Sequence, residues 1–507
     1  MAQATANQVW TGRHYIAGEW REGDGERFES INPARSEEVT GIYPRGDASE
    51  VDGAVAAARH AFGAWRRTSR VKRGELLLKL AGLIERDVEE LARVLARESG
   101  KIIDEARAEV VEGLHMVQYV FGTARQPSGQ VIDSEIEAKD LYVRRKPRGV
   151  VAVITPWNFP FAVPLWMLAP SLVEGNTTVF KPSEETPEIG QRLVMLFAEA
   201  GFPPGAINLI HGVGEEAGDA LARHPDVDVV CFTGSYEVGS HIRRLAAEHE
   251  HKTCALEMGS KSAVIVCEGA ALDLAVNAAL LSAFKTTGQR CVSAGRVLVH
   301  RRLLDRFSEQ FVARAKQLRF ADPFATGAFA GPLINHRAVE KVSYYNELAK
   351  QEGAEVLLDG GRLDGELAGG YFMSPFVYRQ RHAPGKRTVR EEVFGPHLAI
   401  VPFADDDEAI AIYNDTPYGL SMAVITEDYR RWRLYRDECD YGMGYVNLPC
   451  IGAEVHLPFG GVKRSGNGQP SAAALVDAVT HRVAFTVNHQ RGITMAQGMS
   501  AMVPETQ

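Results

Sequence analysis

Between residues 150 and 248 the chain alternates short apolar, β-branched runs with stretches whose apolar positions recur at helical spacing. The predicted strands are Val150–Ile154, Thr177–Phe180, Ala206–Ile210 and Val227–Phe232, and the predicted helices are Val163–Glu174, Pro187–Ala200, Glu215–Arg223 and Glu237–Glu248. This repetition is typical of a parallel sheet with helices on both faces, because parallel neighbours need a crossover between them. The chain is therefore predicted to be an α/β protein.

A second block repeats the alternation and predicts a second α/β domain. Its predicted strands are Ser262–Val266, Arg296–His300, Leu398–Phe403 and Gly419–Thr426, and its predicted helices are Leu272–Phe284 and Leu303–Leu318. A chain of 507 residues has room for both domains at about 150 residues each. Residues 1–125 are expected to be helical after a short β-like start at His14–Trp20.

Two segments outside these blocks, Leu141–Lys146 and His481–Val487, alternate apolar and polar residues. Exposed strands of this kind often pair across subunits. We therefore expect a small oligomerisation sheet and at least a dimer. The tail after Asn488 is expected to be an arm or a frayed end.

Charge and composition exclude several classes of protein. The 56 Lys and Arg against 65 Asp and Glu give a net charge of −9, which argues against a nucleic-acid groove. With 45% hydrophobic and 24% charged residues the chain is predicted to be neither disordered nor fibrous. The 25 residues from Gly149 to Val173 carry no charge, but four prolines interrupt them and favour a buried strand, loop and helix start over a membrane span.

Cysteine usage and the termini predict a cytoplasmic protein. The six cysteines are Cys231, Cys254, Cys267, Cys291, Cys439 and Cys450. They show no CxxC spacing, so we expect no zinc ribbon, no disulfide framework and no metal site. The first ten residues lack a basic start followed by an apolar run, and the final Val-Pro-Glu-Thr-Gln matches no lipidation or retention tag.

Two turns between a strand and a helix are candidate phosphate sites. Gly212-Val-Gly214-Glu-Glu-Ala-Gly218 follows a predicted strand, although its third glycine is one residue late for the dinucleotide fingerprint. In Phe232-Thr-Gly234-Ser235 a strand ends just before a helix, where free N–H groups and the helix dipole favour an anion. A plain turn and an ordinary N-cap are the alternatives.

Lys181 and Glu184 follow a predicted strand at the carboxyl edge of the sheet. Doubly wound folds bind nucleotides at this edge, so the two side chains could hold ribose hydroxyls. A solvated, charged turn is the alternative.

Three further residues are candidates for catalysis. Cys291 lies between a predicted helix and a strand, where Arg290 could favour a thiolate, and the alternative is a buried thiol. Glu257 ends an apolar run, where it is either a group of raised pKa or half of an ion pair. Asn158 lies on a proline-stiffened loop and is either an oxyanion donor or a turn former.

Together these stretches resemble the aldehyde dehydrogenase superfamily over nearly the whole chain. The matching stretches, in the family's order, are Thr155–Pro160 (TPWNFP), Lys181–Pro187 (KPSEETP), Phe232–Ser235 (FTGS), Leu256–Ser262 (LEMGSKS), Gly288–Cys291 (GQRC), Glu391–Pro396 (EEVFGP) and Pro458–Gly461 (PFGG). The family's usual Leu-Glu-Leu-Gly-Gly-Lys reads Leu-Glu-Met258-Gly-Ser260-Lys261 here, which leaves the glutamate in place.

The resemblance implies a role for each candidate. Cys291 is then the nucleophile, Glu257 the general base and Asn158 the oxyanion donor. The implied coenzyme contacts are Lys181 and Glu184 at the adenine-side ribose, Gly234, Ser235 and Trp157 at the pyrophosphate, Glu392 and Phe394 at the nicotinamide riboside, and Gly212 and Gly214 as backbone-approach glycines.

The resemblance also implies a domain plan. A Rossmann-type coenzyme domain would span residues 1–127 and 148–259, an α/β catalytic domain 260–465, and an oligomerisation element with a C-terminal arm 128–147 and 466–507. A homodimer or a dimer of dimers is implied. NAD is expected in preference to NADP, because Glu184 can accept from a ribose 2′-hydroxyl but repels a 2′-phosphate, a preference that Lys181 softens.

The implied reaction oxidises an aldehyde to a carboxylic acid. The Cys291 thiolate adds to the carbonyl, Asn158 stabilises the oxyanion, hydride leaves to NAD, and a water activated by Glu257 hydrolyses the thioester. A coenzyme A-acylating or reductive enzyme on this fold and a catalytically silent binding protein are the alternatives. Glu257 favours hydrolysis, because the acylating branch lacks a glutamate at the matching position.

The residues expected at the substrate tunnel are Lys285, Phe159, Trp166 and Phe459. Succinic semialdehyde dehydrogenases carry an arginine at the position of Lys285 that binds the distal carboxylate, which suggests a semialdehyde acid here. Their second arginine is replaced by Trp166, which suggests an aromatic wall. Glu454 could neutralise Lys285 or favour an amino-aldehyde, and a lysine that reaches solvent or pairs with another acid is the further alternative.

Overall fold

The computed structural model of the chain describes residues 9–496. The prediction that the chain has no leader concerns mainly residues 1–8, and the predicted C-terminal arm includes residues 497–507. Both stretches lie outside the described residues. The N-terminal strands are β1 (Trp10–Thr11), β2 (His14–Ile16), β3 (Glu19–Arg21), β4 (Arg27–Ile31) and β5 (Val39–Pro44). The prediction that helix follows directly after the β-like start is wrong for β4 and β5, which pair in a three-stranded sheet with β1. Burial alternates along much of β4, a period of two that a search at helical spacing misses.

Three long helices and two strands follow, namely α1 (Ala48–Trp65), α2 (Arg70–Ser99), α3 (Ile103–Thr123), β6 (Gly129–Ile132) and β7 (Lys139–Pro147). Helix α2 ends at Gly100, which has a φ of 75° and therefore adopts the left-handed conformation typical of a helix C-terminus. Helix α3 packs against both α2 and the following helix, and it contributes side chains to the site described below.

The first large sheet has seven strands in the order β12-β11-β8-β9-β10-β2-β3. Its later elements are β8 (Val150–Ile154), α4 (Ala162–Glu174), β9 (Thr177–Lys181), α5 (Pro187–Ala200), β10 (Ile207–Leu209), α6 (Asp219–Arg223), β11 (Val229–Thr233), α7 (Tyr236–Ala246) and β12 (Thr253–Glu257). The strands from β12 to β10 are parallel, as predicted, whereas β2 and β3 add antiparallel. The predicted helix at Glu215–Arg223 is α-helical only over α6, since Gly214–Gly218 forms a π-helical turn.

The second large sheet also has seven strands, in the order β15-β16-β17-β14-β13-β19-β20. Its elements are β13 (Ser262–Val266), α8 (Leu272–Phe284), β14 (Ala294–His300), α9 (Leu304–Ala315), α10 (His336–Gln351), β15 (Glu355–Leu358), β16 (Phe376–Arg379), β17 (His397–Phe403), α11 (Asp406–Asn414), β18 (Tyr418–Gly419), β19 (Ser421–Ile425), α12 (Tyr429–Glu438) and β20 (Met443–Val446). The predicted elements of this block are confirmed, except that Gly419 belongs to the separate strand β18.

The last elements are β21 (Pro458–Phe459), β22 (Val462–Lys463), β23 (Ser471–Ala472), α13 (Val476–Val479) and β24 (Thr480–Asn488). The two alternating segments of the sequence pair with each other, because β24 runs antiparallel to β7 in a three-stranded sheet with β6. Side chains such as Val131 (75% exposed) and Phe485 (62% exposed) lie on its surface. Within residues 9–496, no helix combines the length and the apolar character that crossing a bilayer requires.

Candidate active site

The loop that carries Cys291 begins in an unusual backbone conformation. Thr286 and Thr287 have φ values of 53° and 57°, in the left-handed region. Such a conformation costs a β-branched residue about 1–3 kcal/mol. The backbone N–H and the hydroxyl of Thr286 donate to Glu105 Oε1 at 3.0 and 3.2 Å, and the Thr287 hydroxyl donates to the Gly331 carbonyl at 2.7 Å. These hydrogen bonds hold the strained turn that leads into Cys291.

The Asn158 amide lies against the same loop. Its Nδ2 donates to the Gln289 carbonyl oxygen at 3.1 Å, and the residue is 6% exposed. An amide nitrogen carries two N–H groups, so the second one is available for an oxyanion. The structure thus brings the predicted oxyanion donor to the loop of the predicted nucleophile.

Cys291 is half-buried. Desolvation raises the pKa of its thiol to about 12, and the carboxylates of Glu257 and Glu392 act in the same direction. The Val292 N–H and the Arg290 guanidinium oppose this rise. A thiol of raised pKa must lose its proton before it can act as a nucleophile.

Glu257 ends β12 and is 2% exposed. Among the described residues, no group is hydrogen-bonded to either of its carboxyl oxygens, and the Gly461 N–H is the polar group that faces them. A Cβ at Gly460 would lie 2.9 Å from Oε1, and one at Gly466 would lie 3.1 Å from it, so glycines make room for the carboxyl. Burial raises its pKa well above the ordinary value, as suits a general base.

Lys181 and Glu184 form an ion pair at the carboxyl end of β9, with 3.1 Å between Nζ and Oε2. Lys181 is buried, whereas the Glu184 side chain is 38% exposed. Burial alone would raise the pKa of Glu184, but the Lys181 ammonium and backbone N–H groups, including that of Gly214, hold it below the ordinary value. A charged carboxylate thus faces solvent at the nucleotide-binding edge of the sheet.

Ser235 and Gly234 lie between β11 and α7. Ser235 is the N-cap of α7, as one of the two interpretations predicts, and accepts from the Val238 N–H at 3.3 Å. A Cβ at Gly234 would collide with the Phe232 ring, so only glycine fits there. The first helical N–H groups nevertheless remain at this edge of the sheet, where the helix dipole favours an anion.

Trp157, Phe394 and Glu392 lie close to the catalytic loops. The rings of Trp157 and Phe394 pack edge to face, with centroids 5.6 Å apart. Burial raises the pKa of Glu392, and its Oε1 accepts from the Ser260 N–H at 2.7 Å. A Cβ at Gly259 would collide with this carboxylate, which explains the glycine before Ser260.

Aromatic side chains belong to the same large hydrophobic cluster as Cys291. The rings of Trp166 and Phe459 are 4.7 Å apart, and both residues share a hydrophobic core with Cys291 and Phe159. The Phe159 ring has Lys101 Nζ 3.6 Å from its centroid and Arg290 Cζ 5.2 Å from it. Two cations therefore lie beside the ring of Phe159, one of the residues expected at the substrate tunnel.

Lys285 and Glu454 have separate partners. Lys285 Nζ donates to the Phe329 carbonyl at 3.2 Å and lies 4.5 Å from the centroid of the Phe329 ring. Glu454 pairs with His456 at 3.1 Å. The alternative that Glu454 neutralises Lys285 is therefore wrong, because each side chain is held elsewhere.

Residues of α2–α3 complete the site and are absent from the sequence prediction. Glu109 Oε1 accepts from the Phe161 N–H at 2.9 Å and from the Ala162 N–H at 3.3 Å, and the buried Lys101 forms an ion pair with the same carboxylate. Glu105 and Glu109 are buried and lie four residues apart on α3, and two acids at that spacing repel each other on a helix surface. Their spacing among apolar positions could therefore have indicated partners from other parts of the fold.

Known proteins are similar to this chain over most of its length. The profile of the "Aldehyde dehydrogenase family" matches residues 20–484. The α-ketoglutaric semialdehyde dehydrogenase of Bacillus subtilis is 37% identical over 90% of this chain and 93% of that one, and the betaine aldehyde dehydrogenase of the same organism is 38% identical over the same shares. The crystal structure of Staphylococcus aureus betaine aldehyde dehydrogenase in complex with NAD+ superposes with a TM-score of 0.91 at 33% identity, over 96% of this chain and 97% of that one.

Proposed function

The chain belongs to the aldehyde dehydrogenase family and is an NAD(P)-dependent aldehyde oxidoreductase, and we propose that Cys291, Glu257 and Asn158 carry its reaction. The observation that carries this assignment is the 3.1 Å hydrogen bond from Asn158 Nδ2 to the Gln289 carbonyl. It holds the Asn158 amide against Gln289, two residues before Cys291 in the chain, where it could donate to an oxyanion formed on a Cys291 adduct.

The side chains divide the reaction between them. Cys291 loses its proton and adds to the aldehyde carbonyl, and Asn158 donates to the resulting oxyanion. NAD, when bound, accepts the hydride that the adduct releases. Glu257 then takes a proton from a water molecule that attacks the Cys291 thioester, and the carboxylic acid leaves.

The coenzyme fits the residues at the carboxyl edge of the first sheet. The exposed carboxylate of Glu184, held by Lys181, suits an acceptor for ribose hydroxyls. Within residues 9–496, no atom of a non-neighbouring residue lies within 4 Å of a Cβ built on Gly214, so a ligand can approach the backbone there. Ser235 and Trp157 would lie by the pyrophosphate, and Glu392 and Phe394 by the nicotinamide riboside.

We also propose the domain plan and assembly implied by the sequence. The coenzyme domain is assigned to residues 1–127 and 148–259, the catalytic domain to 260–465, and oligomerisation to 128–147 and 466–507. The exposed apolar residues on the β6-β7-β24 sheet support a homodimer or homotetramer. The six free cysteines support a cytoplasmic location.

For the substrate we propose an aldehyde with a remote carboxylate, bound by Lys285. An ammonium has three N–H donors, and the Phe329 carbonyl uses one of them, so two are left for a ligand. The relative from B. subtilis named for α-ketoglutaric semialdehyde lends support, whereas the one named for betaine aldehyde points to a cationic substrate.

A panel of aldehydes tests both the proposed hydrolytic reaction and the proposed preference for an anionic substrate. NADH absorbance is followed with aldehydes of matched length that end in a carboxylate, a methyl or a trimethylammonium group, with and without coenzyme A. We expect NADH without coenzyme A and the highest kcat/KM for the carboxylate, a preference that Lys285→Met removes. A cationic preference, or an anionic one that survives in Lys285→Met, would contradict the role of Lys285, and a strict need for coenzyme A would contradict hydrolysis.

Cysteine variants test the nucleophile. Cys291→Ala should abolish NADH formation. Cys254 is half-buried like Cys291 and lies in β12, so Cys254→Ala is the matched control and should keep the wild-type rate.

A further inference from the structure

Ser260 replaces a glycine of the usual family motif and contacts both sides of the catalytic centre. Its side chain is hydrogen-bonded to the carbonyl oxygen of Cys291, and its backbone N–H donates to Glu392 Oε1 at 2.7 Å. The residue is 4% exposed. One serine thus touches the main chain of the nucleophile and a carboxylate assigned to the coenzyme site.

The direction of these hydrogen bonds follows from the chemistry of the groups. A carbonyl oxygen only accepts, so the single hydroxyl proton of Ser260 points to Cys291. Ser262 Oγ lies 3.0 Å from Ser260 Oγ and must then be the donor of that pair. The result is a chain from the Ser262 hydroxyl through the Ser260 hydroxyl to the Cys291 carbonyl, in which each bond strengthens the next.

The carbonyl of Cys291 and the N–H of Val292 belong to the same peptide unit. That unit is planar, so a partner that fixes the carbonyl also fixes the direction of the N–H. The Val292 N–H acts to lower the pKa of the Cys291 thiol. A hydrogen bond on the carbonyl side therefore fixes the direction of the N–H and polarises it.

We propose that Ser260 is a positioning residue for the nucleophile, whose hydroxyl holds the Cys291–Val292 peptide so that its N–H stabilises the thiolate. The proposal rests on the assignment of Cys291 as nucleophile. The other charged groups that face the thiol are Glu257, Glu392 and Arg290. Substitution of Ser260 leaves these three side chains in place. The hydrogen bond to Glu392 is also kept, because it comes from the backbone N–H, which every residue but proline supplies.

The test measures thiol reactivity directly, without aldehyde or coenzyme. Alkylation of Cys291 by iodoacetamide is followed by peptide mass at several pH values, in wild type, Ser260→Ala and Ser260→Gly. Loss of one neutral hydrogen bond should slow alkylation at pH 8 about two- to fivefold, since a thiolate of higher pKa is scarcer but more nucleophilic. Ser260→Thr keeps the hydroxyl and should stay near the wild-type rate.

Steady-state kinetics add a second readout. Because the Ser260 N–H to Glu392 is retained, Ser260→Ala should lower kcat and leave KM for NAD within about twofold. Ser308 is buried on α9 and its hydroxyl has no hydrogen-bond partner among the described residues, so Ser308→Ala controls for loss of a buried hydroxyl.

Two outcomes would overturn the proposal. One is wild-type alkylation in both Ser260→Ala and Ser260→Gly, with thermal unfolding as the check that each variant is folded. The other is slowed alkylation that Ser308→Ala reproduces. Retained turnover in Cys291→Ala would instead overturn the proposed function, which keeps the two failures apart.

Discussion

Glu105 and Glu109 lie one turn apart on α3, and each carboxylate holds a different loop of the candidate active site. Glu105 accepts from the backbone and hydroxyl of Thr286 and pairs with Arg290 at 3.3 Å, next to the proposed nucleophile Cys291. Glu109 accepts from the Phe161 N–H at 2.9 Å, on the loop that carries Asn158. One rigid helix therefore sets the distance between the two loops.

The first prediction concerns Glu105. Glu105→Ala removes the partners of a left-handed threonine and of Arg290, so we expect kcat to fall at least about tenfold, the scale of a lost hydrogen bond to a charged group. Asp104→Ala is the control, because the neighbouring Asp104 side chain is 82% exposed. Equal steady-state rates for the two variants would show that α3 does not hold the nucleophile loop.

The second prediction concerns the buried ion pair of Lys101 and Glu109, whose side chains are 2% and 1% exposed. Glu109→Gln leaves a buried ammonium without its partner and should lower the free energy of unfolding by about 3–5 kcal/mol. Adding Lys101→Met should recover much of the loss in urea unfolding.

The free energy of unfolding of Glu109→Gln should change with pH in a defined direction. Burial lowers the pKa of Lys101, so the unfolded chain binds more protons there than the folded chain, and stability rises with pH. Glu109→Gln should therefore lose more stability at pH 6 than at pH 9. If the double variant is no more stable than Glu109→Gln, the unpaired ammonium of Lys101 is not the cause of the lost stability.

The third prediction concerns the choice of coenzyme. A charged Glu184 should repel a 2′-phosphate, so the ratio of kcat/KM with NAD to that with NADP should exceed one in wild type and fall about tenfold in Glu184→Gln. Glu185 pairs with Asn335 at 2.7 Å and serves as the adjacent control in Glu185→Gln. A wild-type preference for NADP would refute the assignment of Glu184.

The fourth prediction concerns assembly. Sedimentation at micromolar concentration should give a dimer or larger species, and Phe485→Glu should shift it towards a monomer, because a charge in a buried apolar interface is costly. Tyr429 on α12 has the same 62% exposure as Phe485, so Tyr429→Glu is a matched control. A monomeric wild type would end the proposal.

Periodicity in the sequence predicted most elements of both large sheets, because their strands are buried on both faces and their helices have one apolar side. It failed at β4 and β5, short strands packed within a small sheet. The turn at Gly214–Gly218 could not be predicted either, since a π-helical turn has no residue pattern of its own.

The candidate site was less accessible to sequence reasoning. Spacing alone did not separate Cys291 from five other cysteines, and its role came from the resemblance. The partners of Glu105 and Ser260 lie 181 and 31 residues away in the chain. Such contacts depend on tertiary packing, which local pattern does not report.

Glu257→Gln separates the two halves of the proposed reaction, the formation of the thioester and its hydrolysis. Mixed rapidly with saturating NAD and aldehyde, this variant should form the Cys291 thioester and then stall, since no carboxylate activates water. We predict a burst of at most one NADH per subunit, with the acyl group found on Cys291 by peptide mass. Steady turnover near the wild-type rate, with no acyl-enzyme, would contradict the assignment of Glu257 as the base.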